Sequence, residues 1–164
     1  MAGVIRQLGE SDAKKLRTIW IEALKAEPEM YEAFCASIEK RPLSHFKKRL
    51  TKGAVFGAFR KGKLVGFSAL RPVLSPGARH KAEMWGLYLR EPLRGKGLAM
   101  ELIDAIEGFA REKFDVINVR VVDKNRRTRR FLDRVGYKLY GIERRAIRSG
   151  GRFFDVELRA KRLL

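Results

Sequence analysis

Apolar residues recur along the chain with two periods, and the switches between them mark out its elements. Val4-Ile5-Arg6-Gln7-Leu8 alternates as a short strand does. Leu16, Ile19, Trp20, Ala23 and Leu24 then recur at helical spacing behind an N-cap in Glu10-Ser11-Asp12, and Pro28 ends that helix. A second helical region is expected between Tyr31 and Leu50, broken at Pro42, with Phe46 and Leu50 one turn apart. Residues 54–60 and 63–70 are β-type runs meeting at Lys61-Gly62, a hairpin signal, and 82–89 is a third. Gly86 interrupts that third run. It marks either a bulge or close approach, or a gap filled by a neighbour's side chain.

After these three strands the period changes again. Leu98, Leu102, Ala105, Ile106 and Phe109 predict a helix, and residues 115–122 a strand reached through it. Strand, crossover helix, strand implies a parallel pair beside the antiparallel meander, hence a mixed α/β sheet. Asn125 caps a short helix whose apolar side is Phe131, Leu132 and Val135, ending at Gly136. Residues 137–147 and 153–158, joined around Gly150-Gly151, close the chain as a hairpin. The expected architecture is a single domain over residues 1–164, with a central mixed sheet flanked by about four helices.

Composition narrows the setting. Hydrophobic residues make up 45% and charged residues 34% of the chain, which suits a globular protein and excludes a disordered one. No apolar run approaches the ~20 residues of a membrane span, and Met1-Ala2-Gly3-Val4-Ile5-Arg6 lacks a signal peptide's apolar core. The single cysteine, Cys35, is read as a small core residue, and a cytoplasmic protein is expected. His45, among Ser44, Lys47 and Lys48, reads as a surface histidine. Thirty-seven Lys and Arg against 19 Asp and Glu give a net charge of +18. Such a field attracts nucleic acid, acidic proteins or a phosphorylated cofactor, and repels polyamines.

The chemistry concentrates between the third strand and the helix after it. Arg94-Gly95-Lys96-Gly97-Leu98-Ala99 opens that helix, whose first N–H groups lack intrahelical acceptors and sit at its positive dipole end. Gly95 and Gly97 let an anion approach the backbone, and Arg94 and Lys96 place charge at the rim. The loop is an anion cradle suited to a pyrophosphate. It does not have the Gly-Lys-Ser/Thr ending of a nucleotide-triphosphate loop, and Met100 stands where a dinucleotide fingerprint needs its third Gly.

What fits is Arg/Gln-x-x-Gly-x-Gly/Ala, met by Arg94, Gly97 and Ala99. In this stretch the chain resembles the GNAT superfamily of acyl-CoA-dependent N-acyltransferases. A second segment, Asn125-x-x-Thr128 with Gly136-Tyr137, is similar to that family's Asn-x-x-Ala/Ser … Gly-Phe, and the element order matches over nearly the whole chain. The resemblance implies a GNAT fold and acetyl transfer from acetyl-CoA, without metal, to an amine in a ternary complex. Arg94, Gly95, Lys96, Gly97, Leu98 and Ala99 would hold the pyrophosphate, backbone groups of Leu87, Tyr88 and Leu89 the pantetheine arm, and Asn125 the cofactor.

Glu83, on the third strand upstream of the pantetheine residues, is the candidate general base, with His80 its rival. Many family members carry a tyrosine seven residues after the motif asparagine as general acid; here that position is Leu132. Either Tyr137 or Tyr140 substitutes, or no acid is used. The acceptor is open among a small amine, a protein N-terminus and a lysine, with Trp20, Tyr31, Phe34 and Phe46 as pocket candidates. A monomer or homodimer is equally open. The alternative reading is a basic, non-catalytic module binding acyl-CoA or nucleic acid, drawn from the cluster Lys124-Asn125-Arg126-Arg127-Thr128-Arg129-Arg130.

Overall fold

β1 (Val4–Gln7), β2 (Ala54–Arg60), β3 (Lys63–Pro72) and β4 (Lys81–Leu89) pair antiparallel in chain order, as the succession of apolar runs predicts. The structure is a computed structural model that describes residues 3–28 and 37–164. Lys61 and Gly62, both at positive φ, make the tight turn between β2 and β3. β5 (Val116–Val122) then joins β4 in parallel, and β7 (Arg152–Arg162) inserts between β5 and β6 (Lys138–Ser149). The result is a seven-stranded mixed sheet in the order β1-β2-β3-β4-β5-β7-β6.

Helices cover both faces, which is why β2 is buried almost residue by residue instead of alternately. On one face α3 (Leu98–Arg111) sets Leu102, Ile103 and Ile106 against Phe56, Ala82, Met84 and Ile117, with α4 (Arg126–Arg134) adding Leu132. On the other, α1 (Ala13–Ala26) and α2 (Leu43–Lys52) bring Leu16, Ile19, Trp20, Phe46 and Leu50 against Val55, Phe67 and Ala69. Trp20 is 2% exposed and stacks among Phe46, Phe67 and Trp85. α1 stops at Ala26, two residues short of Pro28, and α2 begins immediately after Pro42. Tyr31, Phe34 and Cys35 lie outside the described residues, so the readings placed on them have no structural counterpart.

Two irregularities in β4 shape the open end of the sheet. Ala69 faces Trp85 and Phe67 faces Tyr88, so Ser68 alone on β3 opposes both Gly86 and Leu87 on β4. The extra residue is accommodated at Gly86, whose φ is +72°, and a Cβ there would lie 2.6 Å from the Phe67 ring. Both sequence expectations for Gly86 therefore hold together: the strand bulges, and Phe67 fills the space. The bulge also re-phases the strand. Ala82 and Met84 face α3 before it, and Leu87 and Leu89 face α3 after it.

The second irregularity is a parting of strands. The parallel ladder runs only from Lys81–Met84 against Val116–Val119. Beyond that, β4 stays with β3 and β5 stays with β7. The sheet opens there into a wedge.

Candidate functional site

Leu87, Tyr88 and Leu89 form one wall of the cleft in that wedge, and Arg127, Thr128, Phe131 and Arg134 of α4 form the other. Arg94, Gly95 and Ala99 close its end, with Glu27 reaching in from beyond α1. The cavity is about 130 Å³. Gly97, at φ +91°, is the N-cap of α3, and no side chain caps the helix. The first turn of α3 therefore presents its N–H groups at the cleft end, where an anion gains from both hydrogen bonds and dipole.

Of the cradle residues expected from sequence, Gly95 and Ala99 line the cleft, Lys96 and Gly97 are exposed beside it, and Leu98 is buried in the core at 4%. Arg94 does not stand at the rim. Its Nε donates to the Leu89 carbonyl at 2.7 Å, its guanidinium lies over the Tyr88 ring, and Nη2 reaches Glu27 Oε1 at 3.4 Å. The buried carbonyl and the carboxylate draw it inward, so it braces the strand end against the loop.

α4 is set by its cap: Asn125 Oδ1 accepts from the Thr128 N–H at 3.2 Å. Asn125 thus positions the helix but does not line the cleft. Phe131 faces the cleft, and Leu132 is fully buried in the core. Neither tyrosine offered as a substitute acid lines the cleft. Tyr137 is fully buried beside Glu107, its phenol pushed far up by burial and then by that carboxylate. Tyr140 lies 61% exposed on β6, the outermost strand.

Tyr88 is the phenol that does border the cleft. Its OH donates to Glu22 Oε1 at 3.2 Å, and burial followed by the Glu22 charge pushes it up to about 12. Glu22 also takes Arg90 Nε and Nη2 on its two oxygens, each at 2.9 Å, tying α1 to the chain leaving β4. Arg127 belongs to the basic cluster read from sequence, but Glu27 and its pairing with Arg127 were missed by sequence reasoning, because that pairing spans the chain and no local pattern announces it.

Glu83 sits outside the cleft, on the face of β4 that carries Trp85. Arg71, its register partner on β3, donates to its Oε2 from Nε at 2.8 Å and from Nη2 at 2.6 Å. His80 is exposed in the turn before β4. His45 is not the surface histidine expected. Helical phase turns it toward Trp20 and Phe46, its Nε2 is buried without a hydrogen-bond partner, and burial with nearby Arg49, Arg41 and Lys48 pushes it below the usual histidine range. Among the described residues no cluster could hold a metal ion, and no helix is long and apolar enough to cross a membrane.

The model of the acetyltransferase (GNAT) domain family matches residues 5–158. No curated protein matches the chain significantly. Several solved structures share its fold. A ribosomal-protein-alanine N-acetyltransferase from Brucella melitensis is 23% identical, with a TM-score of 0.82 over 97% of this chain and 99% of its own. The Salmonella typhimurium protein yncA, solved with its cofactor acetyl-CoA, is 18% identical, with a TM-score of 0.84 over 99% and 95%. An acetyltransferase of the GNAT family from Streptococcus pneumoniae is 17% identical, with a TM-score of 0.84 over 98% and 99%.

Proposed function

The chain belongs to the GNAT acetyltransferase family, and from that premise we propose that it transfers the acetyl group of acetyl-CoA to a primary amine in a ternary complex. The observation that carries this reading is the cleft: a strand end parted from its parallel neighbour faces a helix N-terminus that no side chain caps. An extended, anion-bearing ligand suits that combination, with an amide-rich arm along Leu87, Tyr88 and Leu89 and phosphates at Gly95 to Ala99. That yncA was solved with acetyl-CoA adds support.

Acetyl-CoA supplies an activated thioester. The protein's part is to hold it beside β4, keep an amine within reach and take the amine's proton. Glu83 takes that proton in this reading. Both Arg71 donors converge on Oε2, leaving Oε1 for the ammonium or a bridging water. The amine nitrogen then bonds to the acetyl carbon while the C–S bond breaks and its electron pair leaves on sulfur. No phenol is required to protonate that sulfur, because a thiol is far more acidic than an amine.

Calorimetric titration with acetyl-CoA at two salt concentrations, with ATP as a polyanion control, tests the reading. Stoichiometric binding that is tighter than ATP and survives higher salt is expected. Equal, salt-labile binding of both ligands would reduce the cradle to generic basic surface.

A further inference from the structure

Across β4 from the cofactor cleft lies a second and larger hollow, of about 440 Å³. Its wall carries four cationic side chains, Lys48, Arg49 and Lys52 of α2 and Arg71 of β3, together with Trp85 and Leu70. Arg71 is committed to Glu83, and Arg49 lies over the Trp85 ring at 5.4 Å. Lys48 and Lys52 form no ion pair among the described residues. They stand four residues apart on one helix, a spacing at which like charges repel. An anion lodged between them relieves that repulsion.

The hollow is also in the right place. Trp85 lines it and Leu87 lines the cofactor cleft, two positions apart on a strand that advances about 3.3 Å per residue. Glu83 is bonded to one of its wall residues. Its volume falls in the range of small-molecule sites, about 300–1,000 Å³.

We propose that this hollow receives the acceptor, a small primary amine that carries a carboxylate or phosphate group on an apolar body. The inference rests on the acetyl-transfer reading above. The anion lies at Lys48 and Lys52, the body against Trp85, and the nitrogen toward Glu83. Clustered cations disfavour the protonated amine, so the nitrogen arrives closer to its reactive free base. The anionic group supplies the attraction that brings an otherwise repelled ammonium to a protein of net charge +18.

Three amines of one skeleton test this at pH 7.5: 4-(aminomethyl)benzoate, 4-(aminomethyl)benzamide and 1,4-bis(aminomethyl)benzene, whose far ends are anionic, neutral and cationic. Binding is read from tryptophan fluorescence, because the chain's two tryptophans, Trp20 and Trp85, stack at 4.5 Å beside the hollow. Titrations run with and without coenzyme A, and acetyl transfer is measured in parallel. The benzoate is expected to bind about tenfold tighter than the benzamide, with the diamine weakest, and kcat/KM to follow the same order. Lys48→Ala with Lys52→Ala reduces the benzoate-to-benzamide ratio to about threefold or less, mainly through KM. Lys63→Ala, at the β2–β3 turn, leaves it unchanged.

A ratio near one, a ratio untouched by the lysine pair, or one lowered equally by Lys63→Ala overturns the proposal. So does a failure of all three amines to perturb the fluorescence. Failure of the function reading looks different: acetyl-CoA does not bind in calorimetry, while the amine titrations still report on the hollow.

Discussion

Glu27 and Arg127 meet across the cofactor cleft, where Arg127 Nη2 donates to the Glu27 oxygen that Arg94 also reaches at 3.4 Å. A carboxylate thus stands between two guanidiniums beside the proposed phosphate cradle. An incoming phosphate must compete with it. Glu27→Gln is therefore expected to tighten acetyl-CoA binding by about three- to tenfold at low salt, with the gain shrinking as salt rises. Calorimetry at two ionic strengths reads both. Weaker binding would mean that Glu27 orients the arginines instead of opposing the ligand.

Glu83, the proposed base, lies outside the cleft lining, so a catalytic role for it is separable from cofactor binding. Glu83→Gln is expected to lower kcat by about 10²–10³-fold while leaving the acetyl-CoA dissociation constant unchanged. Steady-state kinetics alongside calorimetry distinguish the two. An unchanged kcat would move the base elsewhere, with His45 the next residue to test.

Gly86→Ala meets two penalties at once, a positive φ and a Cβ placed 2.6 Å from the Phe67 ring. A loss of about 2–4 kcal/mol in urea unfolding is expected. Gly86→Ala still destabilises a Phe67→Ala chain relative to Phe67→Ala alone, because the backbone strain remains. No further loss in that comparison would make the ring contact the whole cost.

Asp12 gives the fold an acid limit. Its carboxylate takes two donors from Arg6, at 2.8 and 2.9 Å, and one from the Gly9 N–H, and these push it down to about 2. Because its pKa falls on folding, its contribution is fully present above the ordinary aspartate range and is lost as pH drops from about 4 toward 2. Asp12→Asn is expected to cost about 1–2 kcal/mol at pH 7 and progressively less below pH 4. Denaturation midpoints across that window provide the check.

His45 titrates with the opposite charge. Burial, and then Arg49, Arg41 and Lys48, hold it neutral in the folded chain below the pH at which it would protonate when unfolded. Its contribution is complete above about pH 6.5 and is lost as pH falls below that value. His45→Gln should flatten the stability profile below about pH 6.5, and the His45 imidazole resonances in NMR should titrate below the ordinary range.

The strands and the Gly-rich turn into α3 were readable because their signals are local. The apolar β-type runs at 54–60 and 63–70 around Lys61-Gly62, the Gly95-x-Gly97 step into Leu98 and Leu102, and Asn125 before a short amphipathic run each state their structure within a few positions. What escaped depends on phase or on distant partners. His45 looks exposed among Ser44, Lys47 and Lys48, yet the phase set by Phe46 and Leu50 turns it toward Trp20. Arg94 looks like a rim charge until the Leu89 carbonyl and Glu27 are placed beside it. Glu27 with Arg127, and Glu22 with Arg90, join segments that no window of sequence contains together.

β4 also divides the chain along its length. Every residue of the basic hollow falls between His45 and Trp85, and every residue of the cofactor cleft except Glu27 falls between Leu87 and Arg134. The bulge at Gly86 is the seam between the two sets. If the hollow receives the acceptor as proposed, an exchange of residues 43–85 with those of another family member carries acceptor preference across as one contiguous piece, leaving the recipient's grip on its acyl donor in place. On the acceptor proposal, preference for what is modified would change through substitutions in the first half of this chain alone.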